Sequence, residues 1–158
     1  MINNVTMSAK DAINAKLAEC FITIGTNRYN FMQIINFEAK FEKTKSEVAV
    51  LGKTGTGNKS SGWKGTGSGK FHYNTSIFRD MMLKFKDTGE DTYFEIQVTN
   101  EDPTSAAGRQ TLIFLDCNID GGILSKFDAE GEFLDEDMDF TFEDFKMPEG
   151  FNLLPGMI

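Results

Sequence analysis

The sequence predicts a mainly β fold of the α+β kind, an antiparallel sandwich or barrel with one packed amphipathic helix and a long extended loop or hairpin arm. Three observations lead there. Apolar and polar residues alternate along several segments, as in strands with one wet face. A single segment switches to helical spacing. A run from 52 to 69 carries almost no apolar side chains and is read as a long flexible connection.

In chain order, Cys20-Phe21-Ile22-Thr23-Ile24 reads as a strand and Gly25-Thr26-Asn27-Arg28 as its turn. Phe31, Ile35, Phe37, Ala39 and Phe41 then share one side of a two-residue period, with Asn36, Glu38, Lys40 and Glu42 on the other. That is a long half-buried strand, expected to complete a hairpin with the first. Further strands are expected at 47–51, 69–73, 92–99, 111–119, 123–128 and 138–145. Between Ser76 and Thr88, the residues Ile77, Phe78, Met81, Met82 and Phe85 recur at helical spacing, with Ser76 placed to cap the start and Gly89 to end it. Met81 and Met82 fit gap-filling core better than a binding surface.

The chain has 158 residues, 24 acidic against 16 basic side chains and a formal charge of −8. That is enough chain for one soluble domain spanning 1–158 without disulfides or a structural metal. Cys20 and Cys117 therefore read as buried thiols of a reducing compartment. No stretch approaches a membrane span, and Met1-Ile2-Asn3-Asn4 lacks the order of a secretory leader. The Asn4 and Asn74 sequons then carry no glycan meaning. The charge is segregated. Residues 128–149 hold ten carboxylates against Lys146 alone, whereas 40–70 holds seven lysines against Glu42 and Glu47. Two solvated faces are the plain reading; association of one copy's basic segment with another's acidic segment is the sharper one. An excess of carboxylates counts against a dedicated nucleic-acid binder.

Site-like patterns fall short. Gly52-Lys53-Thr54 lacks the upstream glycine of a phosphate loop, since Glu47 stands in its place, and Asn58-Lys59-Ser60 lacks the glycine before its lysine. Asp116, Asn118, Asp120 and Gly121 match the opening of a calcium loop, but Phe127 occupies the position that needs a bidentate carboxylate. A hairpin turn at Asp120-Gly121-Gly122 accounts for them better. A calcium- or small-ligand-binding barrel is the alternative function from another class. His72, between Phe71 and Tyr73, is expected to face solvent, and no nucleophile, general base or metal set assembles around it. No catalytic residue, metal ligand or cofactor is assigned. Trp63, in the glycine-rich run, reads either as an anchor into a partner or as a lid over its own core.

Five stretches in order carry a resemblance: 45–53 (KSEVAVLGK), 62–67 (GWKGTG), 76–83 (SIFRDMML), 99–110 (TNEDPTSAAGRQ) and the acidic 133–145 (FLDEDMDFTFEDF). Together the sequence resembles tail tube proteins of contractile phage tails, of the kind found in PBSX-like defective prophages and phage-tail-like bacteriocins, from about residue 9 to 151. The resemblance implies a non-enzymatic structural protein forming homohexameric rings stacked into a hollow tube. It implies a surrounding sheath protein, an enclosed tape-measure protein, and a baseplate or initiator. DNA would pass without specific binding, or the tube would puncture a membrane. Assembly in the host cytoplasm would be followed by residence in a virion or tail-like particle. The family's inter-subunit arm maps onto 52–69, with Gly52, Lys53, Lys59, Trp63 and Lys64 as its residues. Glu38, Glu42 and Glu95 are the candidates for a lumen that repels phosphate.

Overall fold

The structure, a computed structural model, describes residues 5–158; the readings placed on Met1-Ile2-Asn3-Asn4 and on the Asn4 sequon lie outside them. The strands are β1 (Ala18–Ile24), β2 (Asn27–Asn30), β3 (Ile34–Val48), β4 (Gly57–His72), β5 (Phe94–Glu101), β6 (Arg109–Gly121), β7 (Asp135–Phe142) and β8 (Asp144–Glu149). One helix, α1 (Ile77–Thr88), separates β4 from β5. The expected mainly antiparallel fold with a single amphipathic helix is what forms. The described residues make two compact units, 5–32 with Tyr93–Asp116 and Phe145–Ile158, and Gln33–Thr92 with Cys117–Asp144.

In the first unit the strand order is β2-β1-β5-β6, with β8 also paired to β6. Cys20 lies opposite Val98 and Ile22 opposite Ile96. The pleat places opposed residues on one face, so Cys20, Ile22, Phe94, Ile96 and Phe114 become core.

In the second unit the order is β6-β7-β4-β3, reached through the C-terminal end of β6. β7 buries Glu136, Met138, Phe140 and Phe142 on one face and exposes Asp137, Asp139 and Thr141 on the other, as its alternation predicts. Helix α1 lays Phe78 on Phe71, ring centroids 5.2 Å apart, and buries Met81. Its C-terminus is closed by Gly89 in the left-handed region (φ 73), whose N–H donates to the Phe85 carbonyl. At the N-terminus Ser76 makes no side-chain cap; the Thr75 hydroxyl accepts the Ile77 N–H at 3.4 Å instead.

Several expectations are corrected. The first strand pairs with the short β2, whereas the long strand pairs with β4. The strand expected at 47–51 is the end of β3, which stops at Val48 and turns through 49–56. Ile35 is exposed rather than inward, because the register slips between Ile34 and Asn36 and a bulge reverses the pleat there. No strand forms at 123–128, and Asp120-Gly121-Gly122 is not a tight hairpin turn. The carbonyls of Ile123 and Leu124 accept from Arg79 and from the Tyr73 hydroxyl, which takes them from any strand ladder. Residues 122–134 instead form an ordered loop leading into β7.

The largest correction concerns the glycine-rich run. From residue 57 onward it is β4, a sixteen-residue strand and not a flexible connection. Gly65, Gly67 and Gly69 lie opposite Phe142, Phe140 and Met138 on the face that carries the core. A Cβ at Gly65 or Gly67 would stand inside the ring of Phe142 or Phe140. The rings therefore lie flat on the bare backbone of β4, which is the packing that glycine alone permits. Phe140 in turn stacks on Phe37 at 5.7 Å.

Candidate functional site

The pairing of β4 with β7 begins at Gly65 and Phe142, whereas β3 and β4 continue together to Val48 and Gly57. Lys43 to Val48 and their partners on β4 thus form a two-stranded ribbon with no third strand, and nearly every residue of it is exposed on both faces. Such a ribbon is marginal in water unless something packs on it. A hydrogen bond from the Ser61 hydroxyl to the Thr44 carbonyl, at 3.2 Å, steadies the bulge between Thr44 and Lys45.

Every residue assigned to the arm falls on this hairpin. Gly52 sits in the tip turn with φ +84, and Lys53 donates its N–H to the Val50 carbonyl at 3.2 Å. No helix starts after the tip, so Gly52 and Lys53 cradle no phosphate. Lys53 and Lys59 project into solvent. Lys64 pairs with Glu42 at 3.3 Å, both largely exposed. Trp63 stands at the base of the ribbon, stacked on Phe41 at 4.7 Å and tilted against Phe142 at 6.1 Å, and 38% of its surface is accessible. It covers the end of the core and still offers an apolar face outward.

The lumen candidates Glu38 and Glu42 share the wet face of β3. Glu38 pairs with Lys40 at 3.2 Å. Across the sheet, Ser68 lies opposite Asp139 and Lys70 opposite Asp137, so this face also carries carboxylates of the acidic segment. The basic middle and part of the acidic end are therefore neighbours in one chain, and the lysines of the ribbon are those left beyond β7. Glu95 lies on β5 opposite Thr23, half-buried.

Two polar clusters escaped the sequence reading. In the second unit Glu136, on the buried face of β7, receives both terminal nitrogens of Arg79 at 3.1 to 3.2 Å. Arg79 also donates to the carbonyls of Thr75 and Ile123 and lies over the Tyr73 ring at 4.4 Å. In the first unit the buried Asp102 accepts from the N–H and hydroxyl of Thr104 and from the Asn14 N–H, all within 3.0 Å. These bonds hold its carboxyl below the usual carboxylate range, the Thr104 hydroxyl contributing most. Buried Asp11 accepts from the Ala106 N–H at 2.9 Å, and its carbonyl accepts from the Ser105 hydroxyl at 2.8 Å. The Asp-Pro-Thr-Ser-Ala-Ala-Gly stretch is thus a clamp on the segment before β1. The available signal was an aspartate two residues before a threonine, the Asx-turn pattern.

The candidate reactive residues stand in ordinary structural positions. Burial pushes the Cys20 thiol up to about 12, which leaves no thiolate near neutrality. His72 is exposed on β4. Asp116, Asn118 and Asp120 lie along β6, where the chain rises ~3.3 Å per residue, so the tight loop of a calcium site is not formed. Among the described residues no group of three or more His, Cys, Asp or Glu side chains is placed to hold a metal. No described helix is long and apolar enough to cross a membrane.

The described residues thus present an exposed two-stranded ribbon and a polar sheet face. A family described as phage tail tube protein matches residues 5–149. The chain is 34% identical over 145 residues to the phage-like element PBSX protein XkdM of Bacillus subtilis strain 168, covering 92% of this chain and 96% of that one. The YqbM protein of the same organism matches to the same extent. The fold is shared with a chain of the anti-feeding prophage baseplate (TM-score 0.65, 11% identity, 89% of this chain and 97% of that one). It is also shared with a chain of the sheath-tube complex of the PVC extracellular contractile injection system (TM-score 0.63, 10% identity, 90% and 98%). This chain belongs to the phage tail tube protein family, whose members are structural proteins and not enzymes.

Proposed function

We propose that this chain is the subunit of the inner tube of a contractile tail or tail-like particle. Six copies close into a ring, and rings stack into a hollow tube that a sheath surrounds, a tape-measure protein occupies during assembly and a baseplate or initiator nucleates. Subunits accumulate in the host cytoplasm and end in the finished particle. DNA passes through, or the tube punctures a membrane, without specific binding to the wall. The observation that carries this reading is the ribbon of Lys43 to Val48 with its β4 partners, both faces bare and no third strand against it. An exposed ribbon and the open outer edge of β3 are liabilities in a lone molecule, and both are relieved when identical copies close over them. Ordering against a neighbour costs conformational entropy, which burial of the outward face of Trp63 offsets.

The test is seeded polymerisation with the native baseplate nucleus, followed by electron microscopy. Wild-type protein should give hollow tubes of uniform width; its failure to build any hollow polymer overturns the assignment. Trp63→Ala should keep the β-rich circular dichroism spectrum and lose tube growth. Tubes of normal length from that variant would remove Trp63 and the arm from the mechanism.

A further inference from the structure

Two exposed surfaces of the second unit match each other in both charge and apolar character. One is the hairpin tip. Leu51 there is fully exposed (103%), flanked by Val48 and Val50 at 41% each. Lys45, Lys53 and Lys59 surround them, and Glu47 is the single carboxylate between Lys43 and Lys64. The other is the loop 122–134. It presents Phe127 at 91%, Phe133 at 88% and Leu124 at 69% exposure, interleaved with Asp128, Glu130 and Glu132.

Large apolar side chains normally leave water unless a partner collects them, and here six stand out within two short segments. The loop is held by local bonds. The Asp128 carboxylate accepts the Glu130 N–H at 3.0 Å, the Asp128 carbonyl accepts from Gly131, and the Lys126 ammonium reaches the Asp135 carbonyl at 2.7 Å. Lys126, the loop's one cation, is thereby turned back toward the start of β7, and the acids are left to set its outward charge. Leu51 and Phe127 are each almost wholly exposed, so they do not meet within one molecule.

We infer that the hairpin tip of one subunit docks on the 122–134 loop of another, with Leu51 and its flanking valines set against Phe127 and Phe133 and the tip lysines facing Asp128, Glu130 and Glu132. The inference rests on the tube reading and names the mate of the arm within it. Made head to tail, as a tube requires, a tip-to-loop contact propagates from copy to copy instead of closing a pair. The charges steer the approach and reject a mispaired acidic surface, while the apolar centre supplies the adhesion.

The test uses the full chain in nucleated tubes. Lys45→Glu/Lys53→Glu/Lys59→Glu should abolish growth, as should Asp128→Lys/Glu130→Lys/Glu132→Lys, and the sixfold reversal should restore at least half of the wild-type tube length. Independently, Leu51→Cys/Phe127→Cys, both at exposed positions, should give a ladder of disulfide-linked multimers in oxidised tubes. Neither single cysteine variant should do so, because Cys20 and Cys117 are buried. Wild-type tubes combined with no restoration by the sixfold variant and no ladder overturn the docking and leave the tube reading standing. Absence of wild-type tubes overturns the tube reading itself.

Discussion

Glu136 shows how much one buried group can decide. It is 3% exposed, and its carboxylate is satisfied by Arg79, which simultaneously fastens helix α1 and the loop carbonyl of Ile123 to β7. Removing one partner of such a pair leaves the other charged and desolvated, whereas replacing both with apolar groups is often close to neutral. Glu136→Leu should therefore destabilise the protein by about 3 kcal/mol, with the Arg79→Met/Glu136→Leu variant recovering most of it; urea denaturation midpoints measure both. Equal loss in the single and double variants would show that the pair matters for shape alone. Gly67 makes a second case at this scale. Its missing Cβ is the space in which the Phe140 ring lies, so Gly67→Ala should cost about 1 to 3 kcal/mol through overpacking. Adding Phe140→Leu should return part of that loss in the same assay.

At the scale of elements, the clamp before β1 has a defined acid response. The Asp102 carboxyl titrates below its unfolded value of about 3.9, held there chiefly by Thr104 and then by the Asn14 N–H. A carboxyl with a lowered folded pKa contributes stability that is present above its unfolded pKa and lost as pH falls through the folded one. The thermal midpoint should therefore drop more steeply below about pH 4 in wild-type protein than in Asp102→Asn. Parallel curves would remove Asp102 from the acid response. What the sequence made legible divides along the same elements. Helix α1, β5 and β7 were visible because their inward positions carry large apolar side chains at a single period. Of β4 only the end at 69–73 was visible, because upstream its inward positions are glycines such as Gly65 and Gly67, and hydrophobic alternation has nothing to register there. The signal was glycine itself recurring at period two, a strand that receives rings instead of supplying them. The loop 122–134 misled in the opposite way. Its apolar residues Ile123, Leu124 and Phe127 imitate a strand, but Leu124 and Phe127 face outward, and side chains of Tyr73 and Arg79 hold the backbone. The arm residues were assigned to the run 52–69 by resemblance, and the hairpin that carries them was not legible, while the two polar clusters depend on long-range contacts that no local pattern announces.

At the scale of the whole molecule, charge constrains what a tube wall can be. The net charge of −8 is repeated by every subunit of a polymer, and a wall of that sign resists adhesion of phosphates. Glu38, Glu42 and Glu95 are the residues we propose for the lumen of such a tube, and the proposal can be tested. Glu38 and Glu42 hold Lys40 and Lys64 in surface pairs at 3.2 and 3.3 Å. Exposed pairs of this kind contribute little to stability, so their loss should leave the fold and polymerisation intact. Their electrostatic role is different, because each carboxylate masks a lysine that would otherwise hold a passing phosphate. Glu38→Gln/Glu42→Gln/Glu95→Gln should therefore assemble tubes of wild-type length yet deliver DNA more slowly. The delay should lengthen at low ionic strength and shrink as salt screens the freed lysines. Delivery timed in particles carrying the variant tube reads this directly. Delivery unchanged at every ionic strength would place these three residues away from the channel.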